Sequence, residues 1–317
     1  MGDIGHWEAC EVSAEQGFAS YDSFQIKTDS ISYYCSDRVM PLLEEEQVLM
    51  CRLMLGKLKP GDLVLDVGTG SGVLGLWAAL KCGCRVIGID ISERALYFAR
   101  VNAAKNGVDV ADNFNDLNNG EIHFLHSSFE DFVQVQPDLS GKFDVVLLNP
   151  PFNPTCPIVS PALHASAGMD AQKPFKSQIK LVPGILRVGG CCIGYQMSYD
   201  VRVGEVKALD VIRRAYDNRC SISFANVLSD SLSIDAEYFL RNQYASFIAQ
   251  PGNIRSAVEK YIHEVAGKGQ CFSLIYYEAK KEEAVVSKPP LEIKIAGLPN
   301  KGWNDRIWLH QRIVEST

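Results

Sequence analysis

The chain lacks most of the features that mark secreted, membrane-spanning and metal-built proteins. No apolar run in its 317 residues is long enough to cross a bilayer, and the first residues carry no basic-then-apolar leader. Ten cysteines could suggest a disulfide framework. Without a secretory signal, and in a chain this large, reduced thiols and a cytoplasmic setting are the expectation. Cys82-Gly-Cys84 and Cys191-Cys192 have no second pair at zinc-ligand spacing, so no metal is expected. Positive charge is short as well: 31 Lys and Arg against 38 Asp and Glu leave a formal net charge of −7. That balance counts against a phosphate-backbone substrate, which calls for a basic face, and favours a small molecule or a protein segment. No Gly/Ser or Pro linker interrupts the middle and no internal repeat is visible. One large α/β domain with additions therefore fits better than two independent domains.

What the chain does have, from about Gly61 onward, is an alternation of strand and helix signals. Leu63-Val-Leu-Asp-Val is a short apolar run ending in glycines, with helical spacing over Val73–Leu80. Arg85–Asp90 is the next strand. Ser92 then has the character of an N-cap, and Ala95, Leu96, Ala99, Val101 and Ala103 keep helical spacing until Asn106-Gly107 stops it. Glu121–His126 alternates like a strand, and Phe143–Leu148 is nearly all apolar, as suits a central parallel strand covered on both faces. A helix around Gln178–Leu186 leads through Gly189-Gly190 into a strand at Cys191–Tyr195. A helix over Val201–Tyr216 and strands at Ser221–Val227 and Cys271–Tyr277 follow. Such repeats build a doubly wound, mostly parallel α/β sheet with ligands at the carboxyl ends of its strands. An aromatic-rich N-terminal stretch (His6, Trp7, Phe18, Tyr21, Phe24, Tyr33, Tyr34) is expected to pack on the domain, and Trp303 and Trp308 to anchor the tail.

Two segments carry the chemistry. The first is Asp66-Val-Gly68-Thr69-Gly70-Ser71-Gly72, where glycines let the backbone turn sharply and approach a ligand with no Cβ in the way. It contains Gly70-x-Gly72-x-x-Gly75, which also matches a dinucleotide fingerprint and keeps an NAD(P)-dependent oxidoreductase in view. Asp66 separates the two readings, because a carboxylate at the strand end would repel a pyrophosphate. Asp90, followed by Ile91, ends the second strand where it can accept two ribose hydroxyls. Ser127, Ser128 and Phe129 end the third.

The second segment is Asn149-Pro150-Pro151-Phe152, closing the apolar strand. The Asn149 side-chain oxygen and the Pro150 carbonyl are two acceptors in a fixed relation, because proline locks its own φ and restricts the residue before it. Two converging acceptors suit the two hydrogens of an NH₂ group, and Phe152 offers a flat face to a planar partner. No histidine or carboxylate stands out as a strong general base; His164 and Asp170 read mainly as loop hydrogen-bonders.

This tetrapeptide, taken with the glycine loop, resembles the motifs of class I S-adenosylmethionine (SAM)-dependent methyltransferases that act on planar nitrogens. Pro161 to Asp170 followed by Gln178-Ile179 looks like the segment that follows it in protein-glutamine (release factor) enzymes. The resemblance spans approximately residues 36–198 and is similar also to RNA-base N-methyltransferases. It implies a Rossmann-like, seven-stranded fold and SAM as cofactor. The implied cofactor contacts are Asp66, Gly68, Thr69, Gly70, Ser71, Gly72, Asp90, Ile91, Ser127, Ser128, Phe129 and Asn149, and the implied catalytic residues are Asn149, Pro150, Pro151 and Phe152. In the resembled family an Asp at the place of Ser128 often takes the adenine amino group. The implied division is an N-terminal substrate-side extension at 1–58, a methyltransferase domain at 59–280 with a helical insertion at 231–267, and a tail at 281–317. A catalytically idle SAM-binding protein of the same fold shares every one of these motifs.

Overall fold

The computed structural model describes residues 18–21, 24–29, 37–40, 42, 44–152, 167, 172–200, 206–227, 232–233, 256, 260 and 271–293. His164, Asp170, nearly all of the 231–267 insertion, and Trp303 and Trp308 lie outside the described residues, as do His6, Trp7, Tyr33 and Tyr34.

Strands β1 (Phe18–Tyr21) and β2 (Phe24–Lys27) form an antiparallel hairpin. A widened, π-type turn at Glu44–Val48 runs into α1 (Leu49–Met54). Strands and helices then alternate: β3 (Leu63–Val67), α2 (Val73–Cys82), β4 (Arg85–Asp90), α3 (Glu93–Asn106), β5 (Ile122–His126), α4 (Phe129–Val135) and β6 (Phe143–Leu148). They continue with α5 (Lys173–Ile185), β7 (Leu186–Asp200), α6 (Lys207–Ala215) and β8 (Cys220–Asn226). The two-residue β9 (Leu232–Ser233), the long β10 (Cys271–Lys281) and the two-residue β11 (Leu291–Glu292) complete the described elements.

Seven long strands make one sheet in the order β8-β10-β7-β6-β3-β4-β5, with β11 beyond β8 and β9 against β10. The five from β7 to β5 are parallel, and β10 runs antiparallel between β7 and β8. This is the doubly wound, mostly parallel sheet that the sequence predicts. Period-two alternation divides the core between its faces. Val64, Val86, Val145 and Leu147 pack with α1, α2 and α3, whereas Leu65, Ile87, Val146 and Leu148 pack with α4, α5 and α6. Strand order reverses at β3, which has β4 on one side and β6 on the other. Loops leaving β3 and β6 therefore diverge and open a crevice at their carboxyl ends.

The boundaries differ from the periodicity in several places, and β7 and β10 run on to Asp200 and Lys281. Helix α5 begins five residues before Gln178, with Pro174 in its first turn, where a missing N–H costs nothing. β7 begins at Leu186 rather than Cys191, because its pairing with β6 jumps from Leu186↔Phe143 to Cys191↔Val145 across a bulge. Gly190 sits in that bulge, where a Cβ would lie 2.9 Å from the Phe143 carbonyl. α6 starts at Lys207, not Val201.

Asparagine side chains on α3 hold the N-terminal hairpin. Asn106 accepts from the Gln25 N–H at 2.8 Å and donates to the Gln25 carbonyl at 2.7 Å. One turn earlier, Asn102 accepts from the Lys27 N–H at 2.7 Å and donates to the Lys27 carbonyl at 3.0 Å. Helical i, i+4 spacing thus matches the i, i+2 spacing of a strand edge, and two amides do the work of a neighbouring strand. The inner face of β2 buries Phe24 edge-on against Trp77, at 5.6 Å between ring centroids.

Gly194 and Tyr277 stand opposite each other on β7 and β10, and a Cβ at Gly194 would lie 2.3 Å from the Tyr277 hydroxyl. Tyr277 is fully buried and has nowhere to move. Gly194→Ala should therefore cost on the order of 1–3 kcal/mol by overpacking, read as a fall in urea midpoint. Asn102→Ala should cost a similar amount, on the order of 1–3 kcal/mol, by stranding backbone groups of β2. An unchanged midpoint in the second variant would mean that water replaces the amide at no cost.

Candidate functional site

The crevice at the strand ends is a cavity of about 360 Å³, within the range of small-molecule sites. Its first wall is the loop from β3 to α2. Gly68, Gly70 and Gly72 all have positive φ, at 67°, 56° and 85°. Such a chain leaves amides pointing outward, and two acidic strand ends catch them. The Asp66 carboxylate accepts from the Thr69 hydroxyl at 2.6 Å and from the Gly75 N–H at 3.0 Å. Asp90 accepts from the Gly70 N–H and, with its other oxygen, from the Ser92 N–H, both at 2.8 Å. Asn102 donates to the Ser71 carbonyl at 2.8 Å and so ties the loop to the N-terminal hairpin.

Both acids bear the cost of burial. Asp66, 2% exposed, is pushed from the ordinary 3.8 up to about 6, even though the Thr69 and Gly75 bonds favour its charged form. Burial also raises Asp90, against the pull of the Ser92, Gly70 and Ile91 amides. A Cβ built at Gly68 would meet nothing within 4 Å, and one at Gly70 only the Gly68 carbonyl at 3.9 Å. Positive φ and an unfilled approach together leave bare backbone for a ligand to press against.

The far wall comes from β6. Asn149, Pro150, Pro151 and Phe152 line the same cavity as the glycine loop. Phe152 is 8% exposed and leans on Tyr195, with centroids 5.8 Å apart. The Asn149 Nδ2 donates to the Glu46 carboxylate at 2.9 Å. With Nδ2 donating to Glu46, the amide faces its oxygen the other way. Asn149 Oδ1 is left shielded from solvent with no hydrogen-bond partner among the described residues.

Asp37–Met40 form a third wall. They are reached through Asp29, which is paired with Arg94 (2.6 Å from Nη2) and accepts from the Val39 N–H at 2.8 Å. Burial pushes Asp29 upward, but the Arg94 guanidinium and the Val39 amide outweigh it and hold the carboxyl below its ordinary value.

Thirteen of the residues singled out from the sequence thus share one cavity: Asp66, Gly68, Thr69, Gly70, Ser71, Asp90, Ile91, Ser127, Phe129, Asn149, Pro150, Pro151 and Phe152. Two stand behind it. Gly72 is the N-cap residue of α2, and Ser128 caps α4, accepting from the Asp131 N–H at 3.0 Å and donating to its carboxylate at 2.7 Å. Sequence reasoning missed Glu46 and Gln47, and gave no site role to Gln178, all of which also line the cavity. Glu46 closes a run of three glutamates that reads as a solvated face, yet it is 5% exposed. Among the described residues no three His, Cys, Asp or Glu side chains converge as a metal-ligand set, and no helix is long and apolar enough to cross a membrane.

Residues 58–194, less than half of the chain, match the family model described as a methyltransferase domain. A ribosomal protein L11 methyltransferase of Dictyoglomus turgidum is 49% identical over 102 residues, covering 32% of this chain and 28% of that protein. Its counterpart in Caldicellulosiruptor bescii is 37% identical over 105 residues, covering 33% and 29%. A release factor glutamine methyltransferase of Chlorobaculum tepidum is 38% identical over 129 residues, covering 38% and 40%. The chain thus spans well under half the length of each of these relatives.

The raised Asp66 has a measurable consequence. Between about pH 6 and pH 4 the native state takes up a proton that the unfolded chain does not. Stability from this group is therefore gained as pH falls through that window and lost as it rises, by about 3 kcal/mol at most. In urea titrations from pH 7 to pH 4, the wild type should gain on Asp66→Asn. A constant difference would mean that Asp66 titrates normally.

Proposed function

We propose that the class I SAM-dependent methyltransferase domain at residues 58–194 transfers a methyl group to a planar amide or amino nitrogen. The acceptor lies on a protein side chain or a small molecule rather than a nucleic acid. The carrying observation is Asn149: Glu46 takes its NH₂ end, and its oxygen, without a partner among the described residues, lies on the wall of the cavity that also holds the glycine loop. A buried acceptor without a partner costs about 1–3 kcal/mol, which an incoming N–H recovers.

Bound SAM supplies a methyl group already made electrophilic by its sulfonium. The protein's own contribution is alignment and electrostatics. The backbone of Gly68 and Gly70 gives the cofactor a surface without side chains, and Thr69 and Ser71 complete that loop. Asp90 and Ile91 meet the ribose, Ser127 and Phe129 the purine, and Asp66 faces the amino-acid end. A planar nitrogen is a poor nucleophile because its lone pair is delocalised. Hydrogen bonds from its NH₂ to Asn149 Oδ1 and the Pro150 carbonyl push electron density back onto nitrogen. Phe152, braced by Tyr195, supports the planar group. The proton leaves after nitrogen gains charge, so no strong base is needed.

The release factor enzyme of Chlorobaculum tepidum, named for a glutamine acceptor, favours a protein side chain, and the net charge of −7 counts against a nucleic acid. The six described cysteines that carry free thiols suit a cytoplasmic setting. We further assign acceptor choice to the segments outside the core, 1–58 and 231–267, of which the first already supplies Glu46.

Calorimetry should give SAM binding that Gly70→Leu abolishes and Asp90→Ala weakens; unchanged affinity in both would sink the cofactor site. In transfer of tritiated methyl to a glutamine-containing peptide, Asn149→Ala should lose roughly 2–4 kcal/mol of transition-state stabilisation with little change in cofactor affinity. Asn149→Asp should keep part of the activity. Glu46→Ala frees the Asn149 amide to turn and should lower kcat, whereas Glu46→Gln, whose carbonyl can still accept from Nδ2, should restore most of it. A wild-type rate in Asn149→Ala, or a methyl found on oxygen or carbon, would refute the nitrogen mechanism.

A further inference from the structure

The amino-acid end of SAM carries a carboxylate as well as an ammonium group, and the glycine loop has little to offer the carboxylate. Four of the backbone N–H groups there already donate within the protein. Thr69 donates to the Ile89 carbonyl at 2.9 Å and Gly72 to the Thr69 carbonyl at 2.8 Å. Gly70 donates to Asp90 at 2.8 Å and Gly75 to Asp66 at 3.0 Å. Loops that cradle anions leave such amides open. Here an incoming anion meets Asp66 and Asp90 as like charges.

Among the described residues, five charged side chains line the cavity. Asp37, Glu46, Asp66 and Asp90 are acids, and the fifth is Arg38. Arg38 lies outside residues 58–194, the stretch that matches the methyltransferase domain. Its place on the wall is set from both sides. The Asp37 carbonyl before it accepts from Arg94 Nη1 at 3.5 Å, and the Val39 N–H after it donates to Asp29 at 2.8 Å. The Val39 side chain is buried with Ala95 and Phe98 of α3. Arg94 also meets both oxygens of Asp29, so the turn that presents Arg38 is locked without using its guanidinium. Arg38 is half-buried and its Nε is shielded from solvent, which strengthens an ionic contact relative to open water.

Resting on the SAM site proposed above, we infer that Arg38 is the residue that binds the carboxylate of the cofactor's amino-acid end. A guanidinium is planar and always charged, and it meets a carboxylate through two parallel N–H bonds. The amino-acid end is then held between opposite charges, with Asp66 for the ammonium group and Arg38 for the carboxylate. The amino-terminal segment thereby reads the part of the cofactor that a plain nucleoside thioether lacks.

The test is calorimetry on the full chain with two ligands. One is S-adenosylhomocysteine; the other is its decarboxylated form, which keeps the nucleoside and the ammonium group. Arg38→Met should lose about ten- to hundredfold in affinity for S-adenosylhomocysteine. It should bind the decarboxylated ligand no more weakly than the wild type does, and its urea midpoint should be preserved. Arg38→Lys keeps the charge without the fork, so it should lose less, and again only on S-adenosylhomocysteine. That variant decides the question if Arg38→Met does not fold. Wild-type affinity for S-adenosylhomocysteine in both variants, or equal losses on the two ligands, would overturn the assignment while leaving the cofactor site intact. If the wild type binds neither ligand, the cofactor site itself fails and the assignment falls with it.

Discussion

The site depends on two buried carboxylates standing at the ends of neighbouring strands. A chain with three left-handed glycines in alternation has no regular way to pair its own amides. Asp66 and Asp90 provide the missing acceptors, at Gly75 and Thr69 on one side and at Gly70 on the other. The position of the loop, the start of α2 and the floor of the cavity all follow from those contacts. The arrangement is costly, since burial raises both acids. The cost is tolerable because two donors meet Asp66 Oδ2 and one meets each oxygen of Asp90. Gly75 shows how close the fit is: a Cβ there would lie 3.0 Å from both the Asp66 carboxylate and Ile122.

The two ends of the cavity are built on opposite principles. At the glycine loop the described polar atoms are largely satisfied within the protein, so that end is formed before anything binds. At the Asn149 end, two buried oxygens, Asn149 Oδ1 and Gln178 Oε1, lack hydrogen-bond partners among the described residues. Natural structures break the rule of satisfied polar groups mainly where a ligand completes the set. The contrast gives the cavity a direction, with a rigid, matched seat on one side and an unfinished hydrogen-bond set on the other.

The parts legible in the sequence were those whose signal is local. Apolar runs ending in glycine or acid marked β3 and β4, Ser92 marked the start of α3, and Asn149 to Phe152 marked one wall of the cavity. The parts that escaped depend on contacts between distant positions. Glu46 meets Asn149 across 103 residues, and nothing in three successive glutamates says that the third is buried. Gln178 sits in ordinary helical spacing, where its amide reads as a surface residue. Ser128, whose place after a strand suggested a ligand contact, caps the helix that begins there with its hydroxyl. The β7 bulge was hidden because an extra loop of backbone leaves the apolar pattern on either side intact.

Asn102 has a consequence beyond packing. A single amide holds the Lys27 backbone on one side and the Ser71 carbonyl on the other. The grip is on main-chain atoms, so the attachment does not depend on which side chain stands at position 27. The same amide also makes the hairpin and the glycine loop thermodynamically reciprocal. Whatever free energy a ligand of the loop spends in favouring this arrangement is returned, in equal measure, as resistance of the amino-terminal segment to peeling away.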